Sequence, residues 1–218
     1  MSDSTVSRLG VLAARRWGMF TTAHAEAVGV SRKQLVRMTA SGVLERLAHG
    51  VYRMAGSPPQ DHESIYATWL ALGGATSQPT EAGAPALVAA GVTAAVVHEI
   101  GDFFLDGIDF IVGSRKTTRL PDVRLRIRPL TPADATSVNG LPTLTTERTI
   151  TDLLALGTDT SLIDDALREA ARFGKITDPQ RLRADLTAAP ARLRDDAGVL
   201  LESLDEILAP NAEGALHG

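Results

Sequence analysis

Apolar positions at helical spacing open the chain. Between residues 6 and 16, apolar side chains recur at close to helical spacing, at Val6, Leu9, Leu12 and Ala13. This spacing predicts a first helix. Gly18 ends this helix. A hydroxyl at Thr21 or Thr22 can accept the free amide protons of a second helix, which we expect to continue to Val28. Gly29 then permits a tight turn.

A third helix is predicted from Ser31. Gln34 follows this serine after three positions, which is the spacing of a capping box. At about 100° per residue, one face holds the side chains that would pack inward, at Leu35, Met38 and Thr39. The opposite face holds Lys33, Arg37 and Ala40, with Arg32 and Gln34 on its flanks. This distribution is typical of a recognition helix, because arginine and lysine can contact guanine and glutamine can contact adenine in the major groove.

Residues 43–54 read as a hairpin. The run VLERLAHGVYRM predicts two short strands around Ala48, His49 and Gly50. Helices followed by such a hairpin form a winged helix-turn-helix, whose wing can contact phosphates through Arg46, His49 and Arg53. The predicted DNA-binding residues are Thr21, Thr22, Ser31, Arg32, Lys33, Gln34, Arg37, Arg46, His49 and Arg53. The alternative interpretation is a three-helix domain that binds protein through a cationic face.

The rest of the chain predicts a second, larger domain. Residues 56–60 form a linker stiffened by Pro58 and Pro59. We expect a helix over His62–Leu72, a loop over residues 73–86, and helix for much of Leu87–Leu105. Strands are predicted at Asp109–Val112 and Val123–Arg128. Helices are expected from Thr145 or Thr146 to Leu156, and over Ser161–Phe173, Asp178–Thr187 and Ala191–Leu208.

These elements define an α+β chain. It has an N-terminal winged helix-turn-helix domain over residues 1–55 and a mixed α/β domain over residues 61–209 that ends in helices. Residues 210–218 are predicted to be a disordered tail.

The second predicted strand carries alternating arginines. Arg124, Arg126 and Arg128 share one face, and three further cations precede them, at Arg115, Lys116 and Arg119. These six residues form either an edge strand made soluble by charge or a second surface for a polyanion. In the following helix, Arg148 and Asp152 are four positions apart on one face, where they could pair.

Charge is strongly segmented along the 218 residues. Residues 1–55 hold eight Lys and Arg against three Asp and Glu, although the chain carries a net charge of −4. Residues 56–112 hold seven acids and no Lys or Arg, and residues 113–128 hold six cations and one acid. Alternating segments of this kind indicate separate surfaces for separate partners.

The composition favours a cytoplasmic protein. The chain has no cysteine, which excludes disulfides and thiolate metal sites. It has no apolar run of membrane-spanning length, and its first residues do not resemble a secretory signal. The five histidines are scattered and no phosphate-binding or nucleophile motif occurs, so we expect no enzyme activity, no metal and no cofactor.

Two runs resemble the AbiEi-type antitoxin family. The first is GMFTTAHAEAVGVSRKQL at residues 18–35, continued by LERLAHGVYR at residues 44–53. The second is NGLPTLTTERTITDLL at residues 139–154. The resemblance implies the antitoxin of a type IV toxin–antitoxin system, a class associated with phage defence.

Its implied partners are a cognate nucleotidyltransferase toxin and double-stranded DNA. In the family, the winged domain represses its own operon at inverted repeats, and the C-terminal domain neutralises the toxin, directly or indirectly. Two alternatives remain: a winged-helix transcriptional regulator whose C-terminal domain senses a ligand or a protein, and a toxin-binding protein with weak DNA affinity.

Overall fold

The second and third helices begin where the capping signals place them, whereas the first begins at Asp3, three residues before the predicted Val6. Helix α1 spans Asp3–Ala13, α2 spans Thr22–Ala27 and α3 spans Arg32–Ala40. The computed structural model describes residues 3–14 and 16–209, so the tail predicted for residues 210–218 lies outside the described residues.

A small antiparallel sheet completes the winged fold. Strands β1 (Met19–Thr21), β2 (Leu44–Ala48) and β3 (Val51–Met54) lie in the order β1-β3-β2. The hairpin β2–β3 confirms the two strands predicted around Ala48, His49 and Gly50. The helices and the sheet enclose one core, formed by Leu9, Ala13, Phe20, Ala25, Val30, Leu35, Met38, Leu44 and Tyr52.

Helix α4 (Glu63–Ala71) packs with the winged fold. Tyr66 on α4 stacks on Trp17, with 4.4 Å between the ring centroids, and it also contacts Trp69. By backbone packing, the first compact unit comprises residues 1–78 together with 139–141. The predicted domains, residues 1–55 and 61–209, stay a prediction.

The second unit contains a five-stranded sheet and a helix, α5 (Gly91–His98). Its strands lie in the order β6-β5-β4-β8-β7, where β4 is Leu87–Ala89, β5 is Ile108–Val112, β6 is Val123–Ile127, β7 is Ala135–Val138 and β8 is Leu141–Leu144. Strand β4 pairs antiparallel with β5 and parallel with β8, and β5 pairs parallel with β6. The arginine-bearing strand β6 is therefore an edge strand.

Four helices follow the sheet. They are α6 (Thr146–Ala155), α7 (Thr160–Arg172), α8 (Pro179–Thr187) and α9 (Arg194–Leu208). Their apolar faces share one core with α5, which includes Ile100, Ile150, Leu167, Leu182 and Leu200. The α+β class with a larger C-terminal α/β region ending in helices is confirmed.

Candidate nucleic-acid interface

Helix α2 is fixed to the wing at its first residue. The hydroxyl of Thr21 accepts a hydrogen bond from the His24 backbone N–H at 3.2 Å, and His24 Nδ1 accepts one from the Thr21 N–H at 3.3 Å. Burial lowers the pKa of His24, and the charge of Arg16 lowers it further, which favours the neutral ring that this bond requires. The Thr22 N–H donates to the Gly50 carbonyl in the wing at 2.8 Å.

The start of α3 shows the predicted capping box. The Gln34 N–H donates to Ser31 Oγ, while the Gln34 carboxamide oxygen accepts from both the N–H and the hydroxyl of Ser31 at 2.8 Å. Ser31 and Gln34 thus define where the helix begins. The Gln34 oxygen is already used, so this residue positions the helix in the structure.

The outward face of α3 carries unengaged cations. Leu35 and Met38 are fully buried, while Lys33 and Arg37 are exposed on the opposite side, as the spacing predicts. Within the part of the chain that the structure describes, neither Lys33 nor Arg37 makes a hydrogen bond or an ion pair. Their side chains therefore remain available for an anionic partner.

Arg32 differs from these two cations. Its Nε lies 2.9 Å from Glu26 Oε1 on α2, and its side chain is 78% exposed. An ion pair so open to solvent contributes little to stability. A phosphate can therefore replace Glu26 as its partner at small cost.

The wing adds a second pair of polar groups. Arg46 Nη2 lies 3.2 Å from His49 Nδ1, and both residues are exposed. Between the wing and helices α2 and α3 lies an open groove of about 400 Å³, whose lining includes Glu26, Arg32, Val36, Arg46 and His49. Cations from two elements thus converge on one groove.

Arg53 has a different environment from the one predicted. Its guanidinium is held between Glu45 on β2 and Glu63 on α4, and its side chain is only 15% exposed. Two carboxylates already satisfy the charge that was predicted to meet a phosphate. We therefore leave Arg53 out of the proposed contact surface.

The arginines of the segment around β6 also fall into two groups, those bound to carboxylates and those without an ion pair. Arg126 binds Asp152 with two hydrogen bonds of 2.9 and 2.6 Å, and Arg124 contacts Asp106 and Asp109 at 2.8 and 3.2 Å. Burial raises the pKa of Asp109, although the two arginines act in the opposite direction. The exposed cations of this segment that make no ion pair, within the described residues, are Arg115, Lys116, Arg119 and Arg128.

Arg148 and Asp152 share a helical face, but within the described residues each is nearest to a different charged partner. Asp152 accepts from Arg126 and from the Gly91 N–H, and the carboxylate near Arg148 is that of Asp134, at 3.8 Å. Helical spacing indicates which residues share a face, but β6 and α5 pack closer to Asp152 than its own neighbour does.

The sequence did not predict the role of three residues in this region. Val36 lines the groove, Glu26 pairs with Arg32 across the turn, and Glu63 holds Arg53 from outside the predicted domain. Glu26 and Arg32 lie on different helices with a turn between them, so helical spacing could not predict that they pair. An exposed valine between basic positions was a usable signal for Val36.

Metal-binding clusters and membrane spans are both absent from residues 3–14 and 16–209. In these ranges, no cluster of three or more His, Asp or Glu side chains is arranged to hold a metal ion. None of the helices in these ranges combines the length and apolar character needed to cross a bilayer.

Comparisons with known proteins agree with the geometry of the first unit. Residues 12–55 match the family described as "Transcriptional regulator, AbiEi antitoxin", which confirms the resemblance over this segment. No curated protein matches the chain. The crystal structure of the RV2827C protein from Mycobacterium tuberculosis aligns with 94% of this chain and 78% of its own, with a TM-score of 0.54 and 17% identity, which shows a similar fold.

Proposed function

We propose that this chain is an antitoxin that binds the promoter of its own operon and represses it. The family match over residues 12–55 supports the broader role, an antitoxin-class, DNA-binding transcriptional regulator. One observation carries the finer proposal: Lys33 and Arg37 are exposed and unengaged on the outward face of α3, beside a cationic wing.

In this proposal α3 enters the major groove. Lys33 and Arg37 donate to base edges or to nearby phosphates, since both side chains can reach acceptors such as guanine O6 and N7. Arg46 and His49 bring the wing to the backbone, and Arg32 exchanges Glu26 for a phosphate. Thr21, Thr22, Ser31 and Gln34 hold α2, α3 and the wing in their relative positions. Two such units bind the inverted repeats.

The predicted C-terminal domain is assigned to the toxin, and it includes α4, which packs in the first compact unit. We propose that residues 61–209 neutralise a cognate nucleotidyltransferase toxin in the cytoplasm, as part of phage defence. The support is the resemblance of residues 139–154 to the family. The second polyanion surface is proposed for its four unpaired cations, Arg115, Lys116, Arg119 and Arg128.

The test measures binding to the chain's own promoter. Fluorescence anisotropy of a labelled promoter duplex compares the wild type with Lys33→Gln/Arg37→Gln. Removing the two positive charges, and with them the contacts that Lys33 and Arg37 make to bases or phosphates, is expected to weaken binding at least tenfold, because each good contact to a base contributes about 1–3 kcal/mol. The matched control is Arg192→Gln/Arg194→Gln, which removes the same charge from two exposed positions, one in the turn before α9 and one at its first residue.

Two outcomes would contradict the proposal. Equal binding by the α3 variant and the control would overturn the assignment of α3. Tight binding that requires an added small molecule would favour the ligand-sensing regulator instead. A toxin-challenge assay separates the two roles, because the α3 variant expressed from an unrelated promoter is expected to protect cells as well as the wild type.

A further inference from the structure

Val36 is an exposed valine on the face of α3 that carries the cations. Its side chain is 63% exposed, and it lines the groove between α2, α3 and the wing. It adds nothing to the core, and a β-branched residue favours a helix less than alanine does. Neither packing nor helix propensity therefore explains a valine at this position.

On the surface of α3, Val36 has a cationic side chain on each side and a small residue on the next helical turn. At about 100° per residue, Lys33 lies about 60° around the helix from Val36, and Ala40 lies about 40° away on the next turn. Arg32 lies on the other side of Val36, toward the wing. Val36 and exposed Ala40 therefore form a short apolar strip between donors that flank it.

We infer that Val36 contacts the C5-methyl group of a thymine in the major groove and thereby determines part of the operator sequence. This methyl group is the apolar feature that distinguishes a thymine in the major groove, and small aliphatic side chains contact it in preference to polar ones. Lys33 and Arg37 place the helix on the duplex, and Val36 selects the base beside them. The inference rests on the proposed DNA binding and adds a preference for thymine, whose methyl group a cationic donor does not recognise.

Deoxyuridine provides the test, because it differs from thymine by that one methyl group. A duplex is first selected from a random-sequence pool by the wild-type protein. Each thymine of the selected duplex is then replaced in turn by deoxyuridine, and affinity is measured for the wild type and for Val36→Ala. At one thymine, the wild type is expected to lose about fourfold in affinity, the effect of one methyl group removed from water, and Val36→Ala is expected to lose nothing further.

Val11→Ala is the matched control. It makes the same side-chain change at a position that is 76% exposed on α1, and it should keep the deoxyuridine profile of the wild type. If deoxyuridine at every thymine affects the wild type and Val36→Ala equally, the inference is overturned while DNA binding stands. If the pool yields no enriched sequence, the proposed function fails and the inference fails with it.

Discussion

Arg46 and Arg53 lie on the two strands of one hairpin and have opposite surroundings. Arg46 is exposed, and its guanidinium contacts the Ala48 carbonyl and the His49 ring of the wing. Arg53 is largely buried and binds two carboxylates, from Glu45 and Glu63. A buried cation requires such partners, whereas an exposed one is free to exchange water for a phosphate. Burial, more than residue type, separates the contact role from the structural role.

Arg53→Gln is accordingly expected to lower stability. The substitution leaves two carboxylates without their shared cation, and we expect a loss of about 1–2 kcal/mol in the free energy of unfolding, measured with urea. Arg46→Gln should change that free energy by less than about 0.5 kcal/mol. DNA affinity per folded molecule should fall for Arg46→Gln and stay unchanged for Arg53→Gln. The reverse pattern would return Arg53 to the DNA contacts.

At the scale of elements, local signals located helices better than strands. The caps at Thr21, Ser31 and Thr145 each accept the predicted backbone N–H. Strands β1, β7 and β8 have only three or four residues, too few for alternation to show. The run Leu87–Leu105 was expected to be mostly helical, yet it begins with β4 before α5, because a short apolar run suits a buried strand as well as a helix.

Long-range partners could not be predicted from spacing. The outward position of Lys33 and Arg37 follows from helical geometry alone and is confirmed, whereas the partners of Arg53 and Asp152 lie on other elements. A periodic pattern shows which face a side chain occupies. It does not show which strand or helix will cover that face.

Asp152 on α6 joins three elements and should be sensitive to substitution. Its side chain is 4% exposed and accepts from Arg126 on β6 and from the N–H of Gly91 at the start of α5. Asp152→Asn removes the carboxylate that binds Arg126. The carboxylate that then remains beside the Arg126 guanidinium is that of Asp109, at 3.9 Å. We expect a loss of about 2–4 kcal/mol in the free energy of unfolding, measured by chemical denaturation.

Arg124→Gln is the control for this prediction. Arg124 lies on the same strand and also binds carboxylates, but its side chain is 49% exposed, so its removal should cost less than about 1 kcal/mol. Equal losses for the two variants would mean that the buried pair contributes no more than a surface pair.

At the scale of the whole molecule, the net charge does not describe the local charge of the surfaces proposed to bind nucleic acid. The chain carries −4 overall, but its cations are concentrated in residues 1–55 and 113–128. Ion pairs then remove part of each group, namely Arg53 in the first and Arg124 and Arg126 in the second. The charge available for phosphates includes that of α3, the wing, the loop before β6 and Arg128 directly after β6.

Salt dependence can separate the contributions of these two segments. Each phosphate contact adds about 0.9 to the steepness with which log affinity falls as log salt rises. If the second segment contacts DNA that flanks the operator, Arg115→Gln/Lys116→Gln/Arg119→Gln should make the slope shallower by about 2–3 on a long duplex. On a duplex trimmed to the footprint of the winged unit, the same variant should keep the wild-type slope, because the flanking phosphates are gone. An unchanged slope on the long duplex would show that Arg115, Lys116 and Arg119 do not contact DNA beside the operator, and would leave the phosphate contacts to cations elsewhere in the chain, with α3 and the wing as the first candidates.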